Sequence, residues 1–271
     1  MSEFLVAPAA PTQRTQPAAR KCALPPALAL MEILPDADGP LRNRLLAALP
    51  PEELARVRPQ LERVRLKQRD LLFEPETPIG HVYFPETAVV SLVSTLENGA
   101  TIEIGTAGCE GMAGLSVFLA EDTSTVRAFA QVPGVASRMD AETFTRLAGA
   151  PGTLHRMLLR YTQSFLTQVS QTAACNATHL VEERCARWLL MTHDRVEGDE
   201  FPLTHEFLAF MLGVRRAGVT VAMGTLQDAQ LVRYSRGKIT VLDRAALEQA
   251  SCECYGVVRD RYERTVGIQG V

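Results

Sequence analysis

The sequence lacks the apolar runs and the leader segment that would direct it into a membrane or out of the cell. None of its apolar stretches approaches the roughly 20 residues needed to cross a bilayer. The first residues, with Glu3 among interspersed prolines, do not combine a basic segment with an apolar core as a secretory signal does. The composition, 46% hydrophobic and 22% charged, is ordinary for a water-soluble protein. We therefore expect a cytoplasmic protein with no membrane partner.

The chain also lacks the short motifs that carry catalysis. It has no nucleophile elbow, no Walker loop and no dinucleotide fingerprint. A metal oxygenase built on a small barrel would need histidines and a carboxylate that converge on one metal. The five histidines are instead scattered along the chain, at His81, His155, His179, His193 and His205. We predict no catalytic residue and no enzyme activity.

Closely spaced cysteines are nearly absent. Only Cys252 and Cys254 are near neighbours in sequence, and two ligands do not complete a zinc site. The other four cysteines lie far apart, at Cys22, Cys109, Cys175 and Cys185. We expect free thiols, with no bound metal and no cofactor.

The most informative pattern lies in residues 203–240, where a glycine separates two short helical segments. Thr204 stands just before the first segment, so its hydroxyl can cap the free amides of a helix. The apolar positions of that helix are Phe207, Leu208, Met211 and Leu212. Gly213 then permits a sharp turn into a second helix.

The second helix has one apolar face and one open face. Its apolar stripe has the spacing of a single helical face and consists of Val219, Ala222, Met223 and Leu226. The residues left nearer to solvent are Arg215, Arg216, Ala217, Gly218, Thr220 and Val221. Two extended runs around Gly237 follow and predict a small hairpin, or wing, with a basic tip.

This segment is basic on an otherwise acidic chain. Residues 203–240 carry five Lys or Arg against two Asp or Glu, a net charge of +3 within a chain whose total is −3. Clustered cations bind phosphates because they release condensed counterions from a nucleic acid. The pattern therefore predicts a DNA-binding unit, and the alternative is a winged domain for protein contacts with Arg215 and Arg216 on a solvated face.

The N-terminal half predicts a β-rich domain. Residues 1–40 hold seven prolines and nine alanines and are expected to form a mobile or loosely packed tail. Residues 41–66 predict short helices. Short strands are expected over 71–73, 82–84, 89–96, 101–104, 126–132 and 135–139, at the spacing of an all-β barrel or jelly roll. The dipeptide Asn98-Gly99 favours a hairpin with a type I′ turn.

Residues 153–194 contain neither proline nor glycine and predict one long helix. Leu154, Leu158, Tyr161 and Phe165 have the alternating spacing of a two-helix seam and are the expected dimer interface. The alternative is a helix that packs only on its own barrel. Its end, over residues 180–191, is expected to pack against the DNA-binding unit.

Residues 203–214 have the sequence Leu-Thr-His-Glu-Phe-Leu-Ala-Phe-Met-Leu-Gly-Val. This segment and the wing after it resemble the C-terminal winged helix-turn-helix of Crp/Fnr-type bacterial transcription regulators. The resemblance covers about residues 41–245. It implies an α+β fold with a tail over 1–40, a cyclic-nucleotide-binding-like barrel over 41–152, a dimerisation helix over 153–194 and a winged helix-turn-helix over 195–271. It also implies a homodimer that places two recognition helices about 34 Å apart on an inverted repeat of double-stranded DNA.

The family's cyclic-nucleotide pocket uses a glutamate for the ribose and an arginine for the phosphate, and this sequence departs from both. Met112, after Gly111, stands in place of the carboxylate, and Thr123 stands in place of the arginine. Because charge-assisted contacts dominate phosphate recognition, we expect no response to cyclic AMP. Glu110 and Arg127 could substitute through a shift in register.

The resemblance places Arg216 on the family's first base-contacting arginine. Arg215 is expected on the DNA backbone, Thr220 on a base edge or phosphate, and Val221 on a thymine methyl, with Gly218 allowing close approach. Thr204, Arg236 and Lys238 complete the predicted DNA-binding residues. The predicted function is sequence-specific transcription regulation, with RNA polymerase as a further candidate partner. The alternative function is a sensor or adaptor dimer that keeps a ligand-binding barrel but binds no DNA.

Overall fold

The computed structural model describes residues 31–35 and 39–266. The N-terminal half is a β domain with short helices at its edges. Its strands are β1 (Glu32–Ile33), β2 (Glu62–Leu66), β3 (Leu71–Phe73), β4 (His81–Pro85), β5 (Val89–Thr95), β6 (Thr101–Ala107), β7 (Arg127–Val132) and β8 (Gly134–Asp140). Its helices are α1 (Arg44–Ala47), α2 (Pro51–Val57), α3 (Leu115–Phe118) and α4 (Ala141–Gly149), with a 3-10 turn at Arg58–Gln60.

The strands form two antiparallel sheets, ordered β1-β2-β8-β4 and β3-β7-β5-β6. Side chains of both sheets, among them Val64, Phe84, Val90 and Phe129, are buried in one hydrophobic core. The expected barrel is confirmed, and each of the six expected strands is present with small shifts at its ends. Non-consecutive neighbours in both sheets show the crossovers of a jelly roll rather than an up-and-down meander.

Two parts of the N-terminal expectation are wrong. Residues 62–66 form strand β2 and not a helix, because Val64 and Leu66 are buried while Arg65 between them is exposed, which is the period of a strand. The tail expected over 1–40 also contributes to the barrel, since Glu32–Ile33 pairs with β2. Residues 1–30 and 36–38 of that tail lie outside the described residues.

The hairpin between β5 and β6 forms as expected, but its turn differs from the type I′ turn. Gly99 has a φ of 81°, whereas Asn98 is not among the residues with positive φ. The N–H of Leu96 donates to the carbonyl of Ala100 at 2.8 Å, which encloses a three-residue loop. A three-residue hairpin needs only one left-handed residue, and glycine supplies it.

The long helical segment is broken, so the expectation of one helix over 153–194 is wrong. Helix α5 spans Thr153–Thr178 and helix α6 spans Val181–His193. His179 and Leu180 between them have extended backbone conformations. The carboxylate of Glu183 accepts a hydrogen bond from the N–H of Leu180 at 2.9 Å and satisfies a free donor at the new helix start.

The C-terminal module follows the order expected for a winged helix-turn-helix. Its elements are β9 (Glu200–Pro202), α7 (His205–Leu212), α8 (Arg216–Asp228), β10 (Val232–Ser235), β11 (Lys238–Val241), α9 (Arg244–Ala250) and α10 (Cys254–Val266). The wing hairpin β10-β11 gains a third strand from β9. Helix α6 packs against α8 and α9, as expected for the end of the long helical segment.

The bend between α7 and α8 is 111°, within the range of helix-turn-helix units. No single helix in the described part of the chain is long and apolar enough to cross a membrane. Helices α7 and α8 reach such a length and composition only when they are counted together across this bend.

An aromatic junction joins the barrel to the C-terminal module. The ring of Phe207 in α7 lies edge-on to Phe129 of the barrel at 6.3 Å and to Trp188 of α6 at 6.4 Å. The indole N–H of Trp188 donates to the buried carboxyl of Glu103 in β6 at 3.0 Å. Because the three rings and the carboxyl come from both domains, their packing fixes the orientation of the module on the barrel.

The carboxyl of Glu103 is buried in this junction and accepts a hydrogen bond at each of its two oxygens. The oxygen not bonded to Trp188 lies 2.6 Å from the Ser91 hydroxyl, which lies 2.6 Å from the side-chain oxygen of Gln131. The Ser91 hydroxyl donates this hydrogen bond to the Glu103 carboxyl. Burial raises the pKa of Glu103 from 4.5 to about 7, against the lowering effects of its bonds to Ser91 and Trp188.

This raised pKa predicts a pH-dependent stability. Between pH 4.5 and about 7 the folded state binds more protons than the unfolded state, so the free energy of unfolding falls as the pH rises. Glu103→Gln, which does not titrate, should remove this contribution of up to about 3 kcal/mol. Urea unfolding at pH 5 and pH 8 measures it. The exposed control Glu97→Gln should behave like the unmodified chain, and equal pH dependence in all three proteins would contradict the assignment.

Candidate DNA-binding surface

Helix α7 begins and ends where the sequence predicts. The hydroxyl of Thr204 accepts a hydrogen bond from the N–H of Phe207 at 3.1 Å, which confirms the helix cap. Gly213 ends the helix with a φ of 63°. A side chain there would also meet Ile102 of the barrel at 2.9 Å, so this position excludes other residues for two reasons. The turn that aims α8 is thereby set by the barrel as well as by the helices.

Helix α8 buries one face and leaves the other open. Val219, Ala222, Met223 and Leu226 are buried, as expected. Arg215, Arg216, Ala217, Thr220 and Val221 are exposed at or near its N-terminal end. The apolar side chain of Val221 is 65% exposed. Exposed valine at the start of a helix with two arginines suits a surface that another molecule covers.

The hydroxyl of Thr220 is already engaged within the module. It donates to the carbonyl of Arg216 at 3.1 Å and lies 3.2 Å from Nδ1 of His205. The His205 ring packs on Tyr234 of the wing with centroids 4.4 Å apart. Burial and the positive charge of Arg216 lower the pKa of His205, which favours its neutral form. These contacts connect helix α7, helix α8 and the wing through one residue.

Gly218 has no structural reason to be glycine within the chain. A Cβ built on Gly218 would meet no heavy atom within 4 Å, and its φ lies outside the left-handed region. Glycine inside a helix costs about 1 kcal/mol relative to alanine. The open space above Gly218 is compatible with close approach of a ligand to the helix backbone.

The wing presents cations at its tip. Arg236 has a φ of 50° and Gly237 a φ of 78°, the two left-handed residues of a type I′ turn. Lys238 pairs with the exposed Glu200 of β9 at 2.6 Å. Among the described residues, Arg215, Arg216 and Arg236 take part in none of the ion pairs found elsewhere in the chain. These three guanidinium groups are therefore free to bind phosphate or base edges.

The predicted effector residues do not form a common site. The carboxylate of Glu110 pairs with Arg195 at 2.7 Å in a buried position, and it also accepts from the N–H of Gly108. Arg127 pairs with Glu74 at 2.6 Å. Since each charge has its own partner, the idea that Glu110 and Arg127 replace the family's ribose and phosphate ligands is not supported. Thr123 is half-buried and supplies no charge.

The segment that would hold a cyclic nucleotide instead packs on helix α5. Met112 is buried, and its carbonyl accepts a hydrogen bond from the Tyr161 hydroxyl at 2.9 Å. A Cβ on Gly111 would meet the Tyr161 ring at 2.5 Å. This glycine is thus needed for close packing of the barrel on α5. A cavity of about 80 Å³ lies elsewhere, between Glu110, Arg195 and helix α10.

The four residues of the expected dimer interface pack mainly within the chain itself. Leu154, Leu158 and Tyr161 are buried within the chain, and Phe165 is half-buried beside Gly105 of the barrel. Helix α10 covers the same side of α5, where Tyr262 lies 6.2 Å from the Tyr161 ring. The alternative from the sequence, packing on the chain's own barrel, holds for this stripe. The sequence could not show which of two apolar stripes on α5 faces inward.

The exposed stripe of α5 is a different one. Leu159 and Leu166 are 51% and 56% exposed. With Thr162, Val169 and Ala173 they repeat every three and four residues along the solvent side of the helix. Sequence reasoning passed over this stripe because its members are smaller and more polar than those of the buried one.

Comparisons with known proteins agree with this architecture. The model of the Crp-like helix-turn-helix domain family matches residues 183–250, and that of the cyclic nucleotide-binding domain family matches residues 63–150. Together the two matches cover more than half of the chain. No curated protein matches it.

Several solved structures share the fold. FixK2 from Bradyrhizobium japonicum is 16% identical with a TM-score of 0.61, over 71% of this chain and 98% of that one. A Crp/Fnr-family protein from Eubacterium rectale is 19% identical with a TM-score of 0.60, over 76% and 96%. A CRP-family transcriptional regulator from Thermus thermophilus is 21% identical with a TM-score of 0.58, over 69% and 95%.

At these identities the structures establish the fold, and the two domain matches establish the family. The barrel, the helix α5 and the winged helix-turn-helix follow one another in the order expected for it. The chain belongs to the Crp/Fnr family of DNA-binding transcription regulators.

Proposed function

We propose that the chain acts as a homodimer that reads an inverted-repeat DNA site through helix α8, without a response to cyclic AMP. The observation that carries the proposal is the unpaired cationic surface formed by Arg215, Arg216 and Arg236 beside the exposed face of α8. A cation that is paired with an acidic side chain gives up that pairing when it binds phosphate, so its net gain in binding free energy is small. The three unpaired guanidinium groups give up no such pairing.

Base reading is assigned to Arg216 at the first position of α8. A guanidinium at the N-terminus of a helix in the major groove can grip the O6 and N7 atoms of guanine with two hydrogen bonds. Val221 lies five residues further along α8 and is exposed, so its apolar side chain can contact a thymine methyl. Arg236 lies on the wing and is assigned to a phosphate, with Lys238 as a weaker contributor because Glu200 competes for it.

Substitution separates the two roles. Arg216→Ala should weaken binding to the preferred duplex by about 1 to 3 kcal/mol and relax the preference at one base pair per half-site. Arg236→Ala should weaken binding to all duplexes and reduce the salt slope by about one unit. Fluorescence anisotropy on preferred and scrambled duplexes at several salt concentrations measures both effects. Equal weakening of both duplexes by Arg216→Ala would make that residue a phosphate anchor only.

The dimer seam is assigned to the exposed stripe of α5, and its occupant is a second copy of this chain. Leu159, Thr162, Leu166, Val169 and Ala173 have the alternating three and four spacing of a helix that pairs with its symmetry mate. A two-fold axis along such a seam presents the same stripe from both copies. The inward stripe cannot serve, because the barrel and α10 already cover it.

A charge on the outer stripe should abolish assembly. Leu166→Glu is expected to give monomers, because pairing would bury a carboxylate without a partner. Leu242→Glu is the matched control, since Leu242 is 49% exposed and lies between β11 and α9, outside α5. Sedimentation velocity at micromolar concentration measures both variants. A Leu166→Glu dimer as stable as the control would place the seam elsewhere.

Cyclic AMP should neither bind nor alter DNA affinity. The segment where the family holds the ribose presents buried Met112, and Arg127 is held by Glu74. Titration calorimetry at micromolar protein should show no binding heat, and the anisotropy curve should not move when cyclic AMP is added. Micromolar binding would refute the proposal. Thr123→Arg alone should not restore binding, because the carboxylate would still be missing.

A contact with RNA polymerase stays a prediction. A DNA partner also implies that the protein works in the compartment that holds the DNA.

A further inference from the structure

Four metal-binding side chains converge where helix α5 ends. Cys175 lies in the last turns of α5 and His179 lies just after it, while Cys252 and Cys254 come from the junction of α9 and α10. One ligand atom from each residue lies within 4.8 Å of those from all the others. Cys175 and Cys252 are 77 positions apart in sequence, so only the fold brings the set together.

Two of the six distances between the ligand atoms have the length expected around a single tetrahedral ion, and all six are within 4.8 Å. The Sγ atoms of Cys175 and Cys252 are 3.5 Å apart, and Sγ of Cys254 lies 3.6 Å from Nδ1 of His179. Bonds of about 2.3 Å to sulfur and about 2.0 Å to nitrogen give tetrahedral edges of about 3.5 to 3.8 Å. We propose that Cys175, His179, Cys252 and Cys254 bind one zinc ion, in a structural site that fixes the C-terminal helix to the end of α5.

The histidine is already oriented for this role. Nδ1 of His179 lies 3.6 Å from the sulfur of Cys254, and its Nε2 lies 3.3 Å from the carboxylate of Glu253. A carboxylate that accepts from the far ring nitrogen holds a metal-binding histidine in the right tautomer and orientation. Glu253 stands between the two cysteine ligands in sequence, so the same short segment supplies two ligands and this support.

The surroundings of the thiols also suit a metal. Cys175, Cys252 and Cys254 are buried together in a small cluster of their own, apart from the main hydrophobic core. Three thiolates and a neutral histidine around Zn²⁺ leave one negative charge. Arg187 is close enough for its positive charge to act on Cys175 and Cys254, and its guanidinium is held by a hydrogen bond to Thr172 at 3.0 Å. Arg187 therefore offsets part of the negative charge of the site.

The donor set selects the ion and its role. Thiolate and imidazole ligands favour zinc over calcium or magnesium, which prefer oxygen. An iron-sulfur cluster spreads its ligands over several irons, whereas these four atoms are grouped closely enough for one ion. Four protein ligands leave no open position for a substrate, so the site is structural rather than catalytic.

Zinc here would fix one end of the packed surface between α5 and α10. Helix α10 runs back along α5 from the cluster, and its far end is fixed where Thr265 bonds to Ser164 at 2.5 Å. The cluster lies at the break between α5 and α6, where the helix of the proposed seam meets the DNA-binding module. The ion would thus stiffen the connection between these two parts.

Elemental analysis of the full-length, tag-free protein in reducing buffer tests the proposal. We expect about one zinc ion per chain. Cobalt exchange should give the visible bands of a tetrahedral thiolate site, and a chelator should lower the unfolding temperature. Cys252→Ser should lose the metal and the chelator effect. Cys185→Ser is the matched control, because Cys185 is equally buried but lies outside the cluster, and it should keep both.

A conservative exchange covers the case in which Cys252→Ser does not fold. His179→Cys should keep the metal with four sulfur ligands, whereas His179→Asn should bind it much more weakly. Metal-free protein that takes up no cobalt would overturn the proposal. Iron with acid-labile sulfide, or a Cys175–Cys252 disulfide that forms in place of metal binding, would also overturn it.

Discussion

The packing of Phe207 between Trp188 and Phe129 is the contact on which the rest of the structure depends. It joins the first helix of the helix-turn-helix to the barrel and to α6, and the bond from Trp188 to Glu103 adds a fixed direction to an otherwise non-directional apolar contact. Because the turn at Gly213 also lies against Ile102, the orientation of α8 follows from the barrel surface. Any change in the barrel at this junction would therefore be transmitted to the recognition helix.

The two faces of helix α5 make different contacts. Its inner face closes the barrel through Tyr161, whose hydroxyl reaches the carbonyl of Met112 in the segment where relatives hold a cyclic nucleotide. The outer face keeps Leu159 and Leu166 exposed. The carboxylate of Glu110 is paired with Arg195 in a buried position. The inner face of α5 thus bears on the proposed loss of cyclic-AMP response, and the outer face bears on the proposed seam.

Local signals in the sequence predicted the local structure well. The Thr204 cap, the left-handed Gly213 and the wing depend on neighbouring residues only, and the structure confirms all three. Contacts between residues far apart in the sequence were harder to predict. The two stripes of α5 have similar spacing, and which one turns inward depends on α10, about a hundred residues further along. The cluster of three cysteines and a histidine was missed for the same reason, because Cys175 and His179 reach Cys252 and Cys254 only through the fold.

The central claim is that two copies of α8 read an inverted repeat from the two sides of a dimer. Genome-wide recovery of DNA fragments bound to the full-length protein, followed by motif extraction, tests it most directly. The account predicts one inverted repeat whose half-site centres are separated by one helical turn, about 10 base pairs, or by a multiple of it. Fragments with no shared sequence, or with a single unrepeated half-site, would contradict it.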